Sequence, residues 1–256
     1  MKFKEKSTII KADRLAEGVY SIWFETENIA KAAKAGQFIS VYCKDGSRIL
    51  PRPISICEIK DNLLRIVYRV VGKGTEEFSG MKEGESLEIM GPLGNGYTLK
   101  DNKALLMAGG IGVPPMVETA KELKNKGVSD ITIIAGYRNN HIFLKEELEQ
   151  YGRLYIATED GTVGTKGNVM DVVKKYSITA DEIYTCGPKP MLKAIKDWSI
   201  AEGIEAQLSL EEKMACGIGA CLACVCKSTE TDEHSNVNNK RVCKDGPVFY
   251  AGEVEL

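Results

Sequence analysis

Half of the eight cysteines in this 256-residue chain fall within the eleven positions from Cys216 to Cys226. Cys216, Cys221 and Cys224 are spaced C-x4-C-x2-C, and Cys243 follows after eighteen intervening residues. This is the plant-type spacing for a [2Fe–2S] cluster. A loop around two irons and two sulfides must turn backbone N–H groups onto anionic sulfur. Gly217, Gly219, Ala215 and Ala220 leave room for that approach. On the residues alone, zinc and disulfides remain open as other fates for these thiols. Structural zinc favours two tight C-x2–4-C knuckles, whereas only one pair here is tight. Cys226 shares a strand face with Cys224, but the ligand set is complete without it, so it is expected to be a bystander.

A cluster moves single electrons, so its neighbours should be redox cofactors. "AGGIGVPPM", residues 108–116, lies between a buried strand and a helix. Gly109, Gly110 and Gly112 would let the backbone approach a pyrophosphate at the helix N-terminus. It is not a G-x-G-x-x-G fingerprint, since Pro115 stands where the third glycine would be, and an ordinary strand–helix turn is the competing reading. "RPIS", residues 52–55, offers Arg52 to a phosphate and Ser55 to a ring nitrogen. "VYRVVGKGTEEF", residues 67–78, ends a strand in Gly72-Lys73-Gly74-Thr75 and a short helical stretch, another anion-binding terminus. Each of these reads equally well as a turn by itself; their joint occurrence is more specific.

The elements around these motifs have three textures. Residues 1–100 read as short strands separated by turn signals about every ten residues, which predicts an antiparallel barrel or sandwich. From residue 103 strands and helices alternate. Strands "KALLMAGG", "DITIIAGY", "RLYIATED", "DEIYTCG" and "EAQLSLEE" are interleaved with helices in "PPMVETAKELKNKG" and near 142–150, 168–175 and 189–202. In the last helix Met191, Leu192, Ile195 and Trp198 share an apolar face. Such alternation predicts a doubly wound parallel sheet. The expected domains are a barrel over 1–100, an α/β domain over 101–210 and a cysteine segment over 211–256, whose polar run "STETDEHSNVNNK" joins two strands as an exposed turn.

Composition excludes several classes. There are 34 basic and 36 acidic side chains, which points away from nucleic acid. No apolar run approaches the roughly 18 residues of a membrane span. The start, "MKFKEKSTIIKADRLAEG", carries charges throughout and does not read as a secretory signal. The expected location is cytoplasmic, where reducing conditions disfavour structural disulfides. His141 and His234 have no ligand-spaced neighbours and are expected at the surface.

In order, "RPIS", "GKGT", "AGGIGVPPM" and "TCGPKPM" resemble the ferredoxin–NADP reductase superfamily over the whole chain. The terminal "EEKMACGIGACLACVC…RVCKDGPVF" is similar to the electron-transfer subunits of NAD-dependent dihydroorotate dehydrogenases. The resemblance implies that the barrel binds FAD. Arg52, Pro53, Ile54 and Ser55 would line it, Val67, Tyr68 and Arg69 would form the next contacting strand, and Gly74 with Thr75 would close over its phosphates. Gly109, Gly110 and Gly112 would take the pyrophosphate of NAD, with Cys186, Gly187 and Pro188 near the nicotinamide; Cys186 also reads as a small buried hydrophobe. Cys216, Cys221, Cys224 and Cys243 would bind the cluster. Two departures stand out: Ile54 replaces the tyrosine frequent in the superfamily's R-x-Y-S motif, and the cluster segment occupies the end where an aromatic residue often covers the flavin.

The implied activity is a relay of pyrimidine biosynthesis. An FMN-containing catalytic subunit, in a heterotetramer of two plus two, would pass electrons through the cluster to FAD and on to NAD+. Alone, the chain would show only diaphorase activity. A rival is the flavin subunit of an NADH-dependent ferredoxin:NADP oxidoreductase or sulfide dehydrogenase. The cluster segment of that group can carry aspartate in place of one cysteine, so four cysteines argue against it. A zinc-stabilised nucleotide sensor is a rival of another class. Glu159 and Asp160 in "ATEDG" stand where a serine–arginine pair often holds a 2′-phosphate, which predicts NAD over NADP.

Overall fold

The computed structural model describes residues 1–231 and 237–256; His234 lies outside the described residues. Six strands, β1 (Phe3–Ala16), β2 (Val19–Glu25), β3 (Phe38–Val41), β4 (Arg52–Lys60), β5 (Leu63–Arg69) and β6 (Ser86–Leu93), close an antiparallel barrel in the order β1-β2-β5-β4-β3-β6. The sequence alternation decides what faces inward. Ile22 and Phe24, Ile39 and Val41, Ile54 and Ile56, and Leu64 and Ile66 fill the interior. Short helices α1 (Ile29–Ala32) and α2 (Lys73–Ser79) follow β2 and β5.

The second layer system comprises β7 (Ala104–Gly109), α3 (Pro115–Asn125), β8 (Ile131–Tyr137), α4 (Lys145–Glu149), β9 (Arg153–Thr158), β10 (Thr165–Lys166), α5 (Val169–Tyr176), β11 (Glu182–Cys186), α6 (Lys189–Glu202) and β12 (Glu205–Ser209). Pro115 opens α3 and Gly203, with φ +68°, ends α6. The sheet runs β10-β9-β8-β7-β11-β12, with parallel pairing throughout. Leu106 packs with α3 on one face while Leu105 and Met107 pack with α5 and α6 on the other. Helices therefore cover both faces, as the continuous apolar strands require. Lys145–Glu149 is shorter than the helix expected near 142–150 because Leu144 adopts φ +62° and starts it late.

The remaining strands are β13 (Val225–Lys227), β14 (Asn239–Arg241) and β15 (Val248–Tyr250). β13 and β14 form an antiparallel hairpin, and β15 adds antiparallel to β12 at the edge of the large sheet. The cysteine segment is thereby stitched to the α/β unit. Outward residues of the barrel complete the assembly: Val19, Cys57 and Val67 join the core under α3, while Phe38 and Leu93 join the core that holds Cys224 and Cys243. Among the described residues no helix is long and apolar enough to cross a membrane.

Candidate functional site

The cysteine loop leaves β12 and wraps back over the barrel. Gly217 and Gly219 take φ of +67° and +86°, which lets the chain turn tightly around the sulfurs. Cys216 Sγ and Cys221 Sγ lie 3.3 Å apart, and the Cys221 N–H donates to Cys216 Sγ at 3.4 Å. Across the hairpin, the Cys243 N–H donates to Cys224 Sγ at 3.4 Å. The thiols therefore stand as two pairs, Cys216 with Cys221 and Cys224 with Cys243. The first pair is half-buried and the second buried.

Two pairs suit a two-iron core. Such a core takes four thiolates, and two adjacent pairs supply them. Desolvation works to raise the Cys216 thiol, yet N–H donors from Cys221 and Ile218 and the Cys221 side chain hold it down at about 6. Burial, reinforced by Cys224, pushes Cys243 up to about 12. A cation at the inner pair would take the place of the proton. All eight cysteines are free thiols, so none is spent in a disulfide. Cys226 lies half-buried on β13, its thiol raised by burial and by Glu212.

Sequence reasoning missed the arch behind this loop. Arg241 Nη1 donates to the Gly219 carbonyl at 3.1 Å, while Asp245 Oδ2 accepts from the Arg241 N–H at 2.7 Å. The only signal was a base and an acid four residues apart, bracketing Cys243. Asn95, at the barrel exit, donates its N–H to Gly246 O at 2.6 Å and its side-chain amide to Asp245 O at 3.0 Å.

On the barrel, the Arg52 guanidinium lies over Gly74, where a Cβ would collide with it, and Arg52 also donates to Leu50 O. Two expected phosphate-side motifs are thus in direct contact. Thr75 Oγ accepts from the Val71 and Gly72 N–H groups at 2.9 and 3.2 Å and fixes the turn into α2. Pro53 and Ser55 lie on the outer face of β4 and Ile54 points inward. Val67 packs toward the α/β unit, Tyr68 packs against Tyr20 and Phe78, and Arg69 is exposed.

In the α/β unit the glycines differ in what they serve. A Cβ at Gly109 would stand 2.8 Å from Met191 Sδ, and one at Gly112 would strike the backbone of Cys186 and Gly187. Gly110, with φ +56°, faces open space. The turns at 109–112 and 186–188 therefore interlock through the missing side chains. Cys186 is buried and its thiol is pushed up to about 12 by that burial, with Ser209 bonding to it. A cleft of about 560 Å³ opens beside this turn, lined by Gly187, Pro188, Glu211 and Cys226 among others. Glu159 is exposed after β9, whereas Asp160 is engaged by the Thr162 N–H and hydroxyl at 3.0 and 2.7 Å. His141 is exposed, as expected.

A closed barrel, a doubly wound α/β unit and a paired-cysteine loop between them define a ferredoxin–NADP reductase-like oxidoreductase carrying an iron–sulfur segment. Residues 211–255 match the family described as the iron-sulfur cluster binding domain of dihydroorotate dehydrogenase B, and residues 106–197 match the oxidoreductase NAD-binding domain. The chain is 41% identical over 263 residues to the dihydroorotate dehydrogenase B (NAD(+)) electron transfer subunit of Fusobacterium nucleatum subsp. nucleatum, covering 98% of each. It is 42% identical to that of Caldanaerobacter subterraneus subsp. tengcongensis, covering 99% of each. The chain belongs to the family of dihydroorotate dehydrogenase B (NAD(+)) electron transfer subunits. Its fold is also similar to the solved NADH-dependent reduced ferredoxin-NADP oxidoreductase, with TM-score 0.87 and 30% identity, covering 98% of this chain and 90% of that one. A flavohemoglobin from Malassezia yamatoensis with bound FAD and heme, 23% identical, shares the fold at TM-score 0.68, over 78% of this chain and 57% of that one.

Proposed function

We propose that this chain is the relay subunit of an NAD-linked dihydroorotate dehydrogenase, connecting an FMN-containing catalytic partner to NAD+. The observation that carries the reading is the pair of cysteine pairs, standing between barrel and α/β unit with one pair half-buried. When bound, the cluster supplies one-electron transfer and FAD the exchange between single electrons and a hydride. The chain holds and orients these groups. Cys216 and Cys221 would bind one iron, and Cys224 and Cys243 the other. Arg52 and the Gly74–Thr75 turn hold the FAD diphosphate, and the outer face of β4 with Pro53 and Ser55 receives the ring. Gly109, Gly110 and Gly112 border the NAD pyrophosphate, with Gly187 and Pro188 at the nicotinamide. The working division is a FAD barrel over 1–100, an NAD domain over 101–210 and a cluster segment over 211–256. Ile218 and Leu222, 41% and 72% exposed beside the outer cysteine pair, offer the partner an apolar contact, in a complex of two copies of each subunit.

Purified without oxygen, the protein should be brown-yellow, with about two irons and two labile sulfides per FAD. Addition of an FMN-containing dihydroorotate dehydrogenase subunit should create NAD-linked dihydroorotate oxidation and a complex stable on size exclusion. The chain alone should reduce dyes with NADH only. A colourless preparation holding one zinc, or turnover of dihydroorotate by the isolated chain, would overturn the reading. The likeness to the NADH-dependent reduced ferredoxin-NADP oxidoreductase supports a second one, transfer to a ferredoxin-type partner. The full set of four cysteines favours the first.

NADH should be preferred to NADPH. The Glu159 carboxylate repels a 2′-phosphate and accepts from a free ribose diol, whereas Asp160 is already occupied by Thr162. Glu159→Ser should improve relative diaphorase efficiency with NADPH by roughly tenfold, about 1.4 kcal/mol. Comparable use of both nucleotides by the unaltered protein would refute the assignment.

A further inference from the structure

Ser40 lies on β3, where Ile39 and Val41 point into the barrel, so Phe38 and Ser40 point out of it. Phe38 packs in the core that contains Cys224, Val242 and Cys243. In the β3–β4 ladder Ser40 pairs with Pro53 and Phe38 with Ser55. The outer faces of these two strands are therefore continuous. On the other side a Cβ added to Gly217 would stand 2.8 Å from Ser40 Oγ. Ser40 thus fills the seam between the strand assigned to the flavin and the residue that follows Cys216.

The side chain is 1% exposed, and its hydroxyl has no hydrogen-bond partner among the described residues. A buried donor without an acceptor is destabilising, and alanine would fill the same place without that cost. The hydroxyl gains a role when a bound group brings an acceptor. Gly217, with φ +67°, presents no side chain that could come between Ser40 and the cysteine loop.

We propose that the Ser40 hydroxyl donates a hydrogen bond to sulfur at the Cys216 side of the cluster, which anchors the cluster loop to the barrel and raises the cluster's reduction potential. The inference rests on the cluster reading given above. Hydrogen bonds to cluster sulfur are one of the levers on its potential, because a donor favours the more anionic reduced state. Ser40 itself carries neither electron nor proton in the relay. It sets how readily the cluster accepts an electron and how firmly the loop faces β4.

The test compares the full-length protein with Ser40→Ala and Ser40→Thr, each purified without oxygen and assayed for iron, sulfide and FAD. Ser40→Ala should retain all three, while its cluster becomes harder to reduce. In an EPR-monitored titration its oxidised-to-reduced ratio at a fixed poise should rise about fivefold, the effect of one hydrogen bond. The FAD potential should stay put, and Ser40→Thr should behave as the unaltered protein. Pulsed EPR of the reduced cluster should show a proton coupling that disappears on exchange into D2O and that Ser40→Ala lacks. An unchanged cluster potential and proton spectrum would overturn the inference, as would a shift confined to FAD. If Ser40→Ala loses the cluster, retention at the original potential by Ser40→Thr supports the hydroxyl, and loss by both makes the position merely steric and overturns it. Absence of iron and sulfide from the unaltered protein defeats the cluster reading itself, and this inference with it, before any variant is compared.

Discussion

Cys221→Ser is expected to lose most of its iron and sulfide, whereas Cys226→Ser keeps both. Cys221 is one half of the outer pair, 3.3 Å from Cys216 Sγ, and its own N–H holds that neighbour's sulfur. A hydroxyl there is a harder, less readily ionised ligand, and the loop carrying it depends on two positive-φ glycines. Transfer to and from the catalytic partner should fall by more than the roughly 10–100-fold that loss of an outer-shell partner costs at a metal site. NADH-dependent dye reduction by the flavin should persist, which separates cluster loss from unfolding. Cys226 lines the cleft with Glu212 near it and lies outside both ligand pairs, so its replacement should leave the EPR signal of the reduced cluster unchanged. Equal damage at the two positions would mean that the ligand pairs are misassigned.

Gly112→Ala should be strongly disruptive in the α/β unit. Its added Cβ would meet the Cys186 carbonyl and stand 2.7 Å from the Gly187 nitrogen, which are backbone atoms that cannot rotate away. Overpacking of that kind costs about 3 kcal/mol, or roughly 6–12 °C in melting temperature for a chain of this size. Because the displaced turn is the one proposed to lie at the nicotinamide, NADH affinity should fall about tenfold or more, as 1.4 kcal/mol of lost positioning suffices. Gly110→Ala is the control for stability alone: its φ of +56° is strained for alanine by about 1–2 kcal/mol, but no other part of the chain lies within 4 Å of the new methyl. Thermal melts of both variants, with NADH titration of Gly112→Ala, check the contrast. Equal losses of melting temperature at both positions would mean that backbone strain, and not the interlocked turns, dominates here.

The family likenesses and the physical reading meet most closely in the cysteine loop. Spacing alone made four thiols candidate ligands and left zinc open. The structure arranges them as two pairs, one half-buried and one buried, an arrangement that suits a two-iron site. That division depends on β13 and β14 pairing across the hairpin and on Arg241 reaching the Gly219 carbonyl.

The sequence by itself determined the elements and most of the motifs. Alternation in "RPISICEI" and "NLLRIVYRVV", Pro115 and Gly203 at helix ends, and the change of period after residue 103 are local signals, written in side chains a few positions apart. C-x4-C-x2-C is local as well. Only the tertiary structure decided what depends on residues far apart in the chain. The three-residue strand β15 is too short to carry a period, and its antiparallel seat beside β12 follows from the docking of the whole segment. Gly109 and Gly112 look like phosphate-loop glycines in sequence, yet their missing Cβ atoms also admit Met191 and the Cys186 backbone. Tyr68 falls on the strand expected to meet the flavin, and barrel closure packs its ring against Tyr20 and Phe78. Ser40 carries no sequence signal at all: the role proposed for it comes from being buried, unpartnered among the described residues and opposite Gly217, a juxtaposition across 177 positions that only the folded chain creates.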